Sequence, residues 1–317
     1  VMGGDYDVVI LGGGVAGLSA GLYTVRAKLK TILLEKEVIG GQIINTDIIE
    51  NYPGFPDGIR GVDLVMACEG QASKFGLEVT YDEAVKLDVK TWPFTLRTAQ
   101  DDTYRAKAVI VATGGAHKKL GVPGEDEFEA KGVSYCATCD GNFFTGQDVA
   151  VVGGGDSALD EGLYLTQMCN SVSVIHRRDQ LRASKVLQER AESNPKIKFI
   201  WNSAVEEIKG DGQVNKLLVK NLKTNQKAEM PMGGIFIYIG FYPQTQFLQG
   251  VVPLDASGHI KVDLNMHTEA PGVFAAGDCR WHSVRQLAAS AGDGVAAAIR
   301  AFEFVMEKTH AAKAGAH

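Results

Sequence analysis

Two cysteines separated by two residues, Cys136-Ala137-Thr138-Cys139, are of a type and spacing that can do chemistry. Thiols this close can exchange a disulfide when the backbone between them turns or begins a helix. Asp140 follows directly. A carboxyl group there could shuttle protons as a dithiol is oxidised or reduced, or it could serve as a helix cap. A structural zinc site would need a second close Cys or His pair. Cys68, Cys169 and Cys279 stand apart in the sequence and read as small buried hydrophobes, so no metal is expected. Five cysteines in 317 residues do not make an extracellular disulfide framework. A reducing, cytoplasmic compartment therefore assigns the close pair to chemistry rather than to stapling.

Glycine supplies the second chemistry. The strand-like run Asp7–Leu11 enters Gly12-Gly13-Gly14-Val15-Ala16-Gly17, then a helical stretch to about Lys28, and the next strand ends at Glu35. In such a turn Gly12 permits the bend, Gly14 admits a pyrophosphate to the backbone, and Gly17 lets helix and strand pack. Free amides and the helix dipole hold the negative charge. Glu35 can accept hydrogen bonds from ribose hydroxyls, which suits FAD or NAD and disfavours a 2′-phosphate. Midway along, Asp148–Val152 enters Gly153-Gly154-Gly155-Asp156-Ser157-Ala158, and the following strand, Ser171–Ile175, ends at His176. Gly12 to Glu35 and Gly153 to His176 span the same 23 positions. One such motif is weak, but two in a strand–turn–helix–strand setting are strong. The second strand ends in His176-Arg177-Arg178 with Arg182 close behind. Guanidinium groups bind phosphate through paired hydrogen bonds, so this end favours NADP. Two dinucleotide sites and a dithiol imply electron flow from NADPH through FAD to a disulfide.

The elements that must position these residues are short apolar strands ending in glycine. They include Val109–Gly114, Ile235–Gly240 and Gly272–Ala276, the last running into Gly277-Asp278. Continuous apolar runs are expected of parallel sheets covered on both faces. A closing helix is expected from Arg285 to about Lys308, with Thr309–His317 as a frayed tail. The fold class is α/β, with two Rossmann-like dinucleotide-binding domains, the NADPH domain inserted into the FAD domain. Crossings are expected at Gly114-Gly115 and Gly240-Phe241. The FAD domain would comprise residues 1–116 and 247–317, and the NADPH domain, carrying the dithiol, residues 117–246.

Composition sets outer limits. Hydrophobic residues at 45% and charged residues at 22% suit a globular protein. A net charge of −6 argues against a general nucleic-acid binder. No run approaches the roughly 20 apolar residues of a membrane span, and Tyr6–Leu11 is too short and acid-flanked for a signal peptide.

In order, the first glycine motif, Cys-Ala-Thr-Cys-Asp, Gly-Gly-Gly-Asp-Ser-Ala, His-Arg-Arg-Asp and a late Gly-Asp followed by Arg-Gln resemble the low-molecular-weight (bacterial-type) thioredoxin reductases over nearly the whole chain. The resemblance implies that Gly40-Gly41-Gln42, the Glu50–Gly54 segment with Asn51, Thr113-Gly114, Asp278 and Arg285-Gln286 line FAD. It implies that Cys139 faces the flavin, Cys136 attacks the protein substrate, and Asp140 is the acid/base. It also implies a thioredoxin-like partner, a homodimer, and an NADPH domain that rotates between two states about the glycine crossings. Three positions depart from the family. Val15 replaces a frequent proline, Asn142 replaces an aromatic before Phe143-Phe144, and Asp160-Glu161-Gly162 replaces Glu-Glu-Ala. A helical Gly162 costs about 1 kcal/mol relative to alanine. Competing expectations are a ferredoxin/flavodoxin–NADP reductase, which lacks the cysteine pair, and a reductase of a peroxiredoxin-type or glutaredoxin-like partner. The peroxiredoxin-reducing relatives usually carry an extra N-terminal thioredoxin-like region, whereas here the FAD motif starts almost at residue 1. A flavin-based redox sensor without turnover is the remaining one.

Overall fold

The structure, a computed structural model, describes residues 3–46, 48–129, 131–135 and 137–314. The chain forms two compact units, Val1–Ala116 with Tyr242–His317, and His117–Phe241. The second unit is thus inserted into the first. The return crossing lies at 241/242 rather than 246/247 because the residues after it are tied to the first unit. The Gln244 amide donates to the Gly114 carbonyl at 3.1 Å, and the Thr113 hydroxyl donates to the Gln244 carbonyl at 2.8 Å. Gly114 and Gly240 both hold positive φ, 58° and 114°, which favours glycine at the two crossings.

The first unit is built on a sheet whose strands run in the order Glu78–Tyr81, Thr31–Glu35, Gly3–Leu11, Thr103–Val111, Phe94–Thr98, Ala84–Asp88. Val273–Ala275 also joins Thr103–Val111. The strands from 78–81 to 103–111, and 273–275, pair in parallel; only 84–98 pairs antiparallel. The continuous apolar runs have their cause in cover on both faces. Val8 and Ile10 lie in one core with residues of the Val15–Arg26 and Leu287–Ala314 helices, whereas Val9 and Leu11 lie in another with Leu87, Leu96 and Val252. Burying each such side chain contributes about 1.5–3 kcal/mol.

The second unit repeats the plan. Ile197–Ile200, Ser171–Ile175, Asp148–Gly153, Gly234–Tyr238 and Val133–Ser134 form an all-parallel sheet in that order. Val149 and Val151 meet Ala158 and Leu159 of the Asp156–Leu165 helix on one face. Ala150 and Val152 meet Val205 and Leu217 on the other, where Ser203–Asp211, Gln213–Asn221 and Lys227–Pro231 form an antiparallel meander.

The closing helix begins later and ends later than the sequence suggests. Arg285 takes a positive φ of 55°, so the helix starts at Leu287. It continues to Ala314 through the residues expected to fray. Alanine and lysine there are strong helix formers. No helix among the described residues is long and apolar enough to cross a membrane.

Candidate functional site

In both units the register of parallel strands brings the glycine turn beside the end of the neighbouring strand. Leu11 pairs with Leu34, and the Gly12 amide donates to the Leu34 carbonyl at 2.8 Å. A Cβ at Gly12 would run into the Ala112 carbonyl, and one at Gly17 into the Gly12 carbonyl. At Gly14 a Cβ would meet no atom within 4 Å. Two glycines are therefore required by packing, and the third faces open space where a ligand can approach the backbone. Gly14 caps the Val15–Arg26 helix with no side-chain bond and no acidic residue in the first turn. The amides at that end remain available for an anion. These features fit a dinucleotide.

Glu35 is more than a ribose acceptor. It is buried, and its Oε2 takes the Gly13 amide at 2.7 Å while Oε1 takes the Glu37 amide at 3.0 Å. Two carboxylate oxygens offer about four lone-pair directions, so capacity remains for ribose hydroxyls. The Gly40 amide donates to the Gly13 carbonyl at 2.9 Å. That contact sets the Gly40-Gly41 turn against Gly14 and leaves Gln42 exposed beside it. The Asn51 side-chain amide donates to Gln286 Oε1 at 3.2 Å, joining two segments far apart in sequence. Asp278 Oδ1 accepts from the Ser283 and Ser290 hydroxyls at 3.1 and 3.4 Å. Arg285 reaches His259 Nε2 at 3.3 Å. Ala16 is in the core, where a Cβ at Gly277 would come within 3.0 Å of its own.

The second turn copies this geometry with different chemistry. A Cβ at Gly153 would run into the Tyr238 carbonyl, and one at Gly154 into the His176 ring, whereas one at Gly155 would meet nothing within 4 Å. His176 thus occupies the bracing place that Glu35 holds in the first turn. It is buried and bonds the Gln180 carbonyl through Nε2 at 3.0 Å, so Nε2 carries the hydrogen. Burial pushes its imidazole below the ordinary 6.5, and Arg182 and Arg177 push the same way. His176 therefore adds no positive charge at neutral pH. The charge lies on Arg177, Arg178 and Arg182, all exposed. The Arg182 amide donates to the Gly154 carbonyl at 2.7 Å, which folds its loop back onto the turn. Asp156 Oδ1 accepts the Ser184 amide at 2.5 Å and holds the end of that loop. Ser157 is exposed and Ala158 fully buried under the helix.

Cys136 lies outside the described residues. Cys139 falls in the short helix Ala137–Asp140, and its side chain lies outside them too. Asp140 makes no side-chain cap for the turn that follows. Its Oδ2 instead accepts the Ser134 hydroxyl at 2.6 Å. The buried Ala137 amide donates to the Tyr238 hydroxyl at 2.8 Å, and that hydroxyl donates to Glu161 Oε2 at 3.4 Å.

A model of the pyridine nucleotide-disulphide oxidoreductase family matches residues 6–303. The chain belongs to this family. As a pyridine nucleotide-disulphide oxidoreductase it works with a flavin and a pyridine nucleotide. Among relatives, a thioredoxin reductase of Listeria monocytogenes is 47% identical over 303 residues, 95% of this chain and 94% of its own. One of Streptomyces coelicolor is 46% identical over 301 residues, 94% of each chain. A solved thioredoxin reductase of Lactococcus lactis superposes with a TM-score of 0.92 at 45% identity, covering 95% of this chain and 99% of that one.

For an oxidoreductase of this family, sequence reasoning passed over Tyr238, Glu161 and Ser134. The signal for Tyr238 was present. It ends the apolar run Ile235-Phe236-Ile237, where a hydroxyl on a half-buried strand end needs a partner.

Proposed function

We propose that this chain is an NADPH-dependent reductase of a thioredoxin-like protein disulfide. What the flavin, as FAD, supplies when bound is a store for an electron pair between nicotinamide and disulfide. Gly12, Gly14, Glu35, Gln42, Asn51, Asp278 and Gln286 would hold it, with Glu35 at the ribose. Gly153, Gly155 and the first-turn amides of Asp156 and Ser157 would hold the NADPH pyrophosphate, with the Ala158 amide closing the turn onto the Gly155 carbonyl at 3.1 Å. Arg177, Arg178 and Arg182 would bind the 2′-phosphate. The observation that carries this reading is the pair of matched glycine turns, one braced by a carboxylate and the other by a neutral ring beside three exposed guanidinium groups.

Cys136 attacks the substrate disulfide as a thiolate, breaking its S–S bond and forming a mixed disulfide. Cys139 then attacks Cys136, which releases the substrate as a dithiol and leaves the protein pair oxidised. Asp140 takes the proton as Cys136 becomes a thiolate and passes it to the first departing substrate sulfur. The Cys139 thiol supplies the second proton, and the Ser134 hydroxyl keeps one Asp140 oxygen in place. Phe143, 78% exposed, offers the partner an apolar contact. The same reading makes the protein a cytoplasmic homodimer.

The test is NADPH oxidation with a panel of thioredoxin-like proteins from the same source. NADPH loss should match substrate thiol release. Cys136→Ser and Cys139→Ser should each abolish turnover while keeping flavin binding and flavin reduction by NADPH. Undiminished turnover in either variant rejects the assignment.

A further inference from the structure

The Ala137 amide lies between the two cysteines in sequence, and a residue far along the chain holds it. Tyr238 ends the strand Gly234–Tyr238, and its hydroxyl accepts that amide at 2.8 Å. The hydroxyl has one hydrogen, which goes to Glu161 of the Asp156–Leu165 helix. With the hydrogen committed there, the oxygen lone pairs are left for Ala137. Burial and then Glu161 push the Tyr238 phenol well above its ordinary range, so it remains a protonated donor. On the other side of Cys136, the Tyr135 hydroxyl donates to buried Glu125 at 2.8 Å. Glu125 in turn takes the Leu120 and Gly121 amides at 2.8 and 2.7 Å. The chain is thus pinned before and after Cys136 by two tyrosine–glutamate pairs.

We propose that Tyr238, oriented by Glu161, is a positioning residue of the dithiol that favours its disulfide form. The proposal rests on reading Cys136 and Cys139 as the redox pair. A disulfide closes only when its two Cα atoms lie within about 4.4–6.8 Å, whereas a dithiol has no such requirement. An anchor on the intervening amide restricts the chain before closure, so it stabilises the closed form more than the open one. Losing the anchor moves the equilibrium towards the dithiol. Where the hydrogen bond is kept in the disulfide form and given up in the dithiol, its loss is worth up to about a factor of ten in that ratio.

The test equilibrates the FAD-loaded protein in glutathione redox buffers and counts free thiols. Two glutathiones give up an electron pair and two protons, the protein S–S bond breaks, and one oxidised glutathione forms. Tyr238→Phe should shift the midpoint by up to about tenfold towards the dithiol, or up to about 30 mV less negative. Glu161→Gln keeps an acceptor oxygen and should titrate like the wild type, whereas Glu161→Ala should shift part of the way. A folded Tyr238→Phe protein with the wild-type midpoint overturns the proposal, even if its melting temperature falls. If Tyr238→Phe does not fold, equal midpoints for Glu161→Gln and Glu161→Ala overturn it. Cys136→Ser and Cys139→Ser must each remove the titrating pair. Its survival would sink the assignment of the redox centre itself, a separate failure from an unmoved midpoint.

Discussion

Gly162→Ala should make the second unit, His117–Phe241, more stable. Gly162 is buried in the Asp156–Leu165 helix, and an added Cβ would lie 3.9 Å from both Val151 and Val172. That is ordinary van der Waals contact, so the methyl group enters without displacing either valine. Glycine in a helix interior costs about 0.8–1.0 kcal/mol relative to alanine. Burying a methyl group adds up to about 0.8 kcal/mol. Together they predict about 1.5 kcal/mol. Trp201 is the tryptophan of this unit, stacked on Phe199 with ring centroids 4.9 Å apart. Urea unfolding followed by its fluorescence, in a Trp92→Phe/Trp281→Phe background, isolates the unit. The midpoint should rise with the slope unchanged, which marks a stability effect rather than a change in the unfolded state. Turnover should be unaffected, since the new methyl group faces the sheet. An unchanged or lowered midpoint would mean that the helix does not seat on Val151 and Val172 as described.

Replacing Arg177 and Arg178 together with glutamine should raise the Michaelis constant for NADPH far more than that for NADH. Each charge-assisted contact is worth about 1.5–3 kcal/mol, roughly tenfold or more, and equal loss with both coenzymes would refute the phosphate assignment. His176 predicts a pH effect. Its imidazole is held below 6.5 in the folded protein, so as pH falls through 6.5 the unfolded chain gains a proton that the native one does not. Stability should therefore fall as pH drops below 6.5, with a slope of at most about 1.4 kcal/mol per pH unit, the limit for one proton. His117, also lowered by burial, adds to the drop with the same sign. A less stable His176→Gln variant should show a shallower decline, and an identical slope would show that His176 is not the titrating group.

The glycine turns, both flanking strands and the inserted arrangement were legible in the sequence because they rest on local spacing and continuous apolar runs. Asp7–Leu11 and Asp148–Val152 need no distant information to be recognised as buried strands. The antiparallel additions at Ala84–Thr98 and Ser203–Pro231 were not legible. Their alternation is weak, and only the face they cover, Leu11 and Val9 or Ala150 and Val152, gives them a place. Around the proposed dithiol, Cys136, Cys139 and Asp140 are picked out by type and spacing. Tyr238 and Glu161 did not, since they meet Ala137 only once the sheet and helix are assembled. Past Lys308 the sequence suggests a frayed tail, whereas the helix runs on to Ala314 through residues whose alanines and lysine favour it.

The middle glycine of each turn has an inheritance consequence. Gly13 leans on Glu35, and Gly154 leans on the His176 ring. If the two halves descend from one ancestral unit, the strand-end position has diverged in identity while keeping one mechanical duty. A mutation there disturbs the loop before it can alter which coenzyme is accepted. Arg177, Arg178 and Arg182 carry no such duty through their side chains, which are exposed. On the proposed assignment of the 2′-phosphate to these arginines, evolution, or an engineer seeking to exchange NADPH for NADH, has its freedom just downstream of the brace. The brace itself can change only in concert with the glycine it supports.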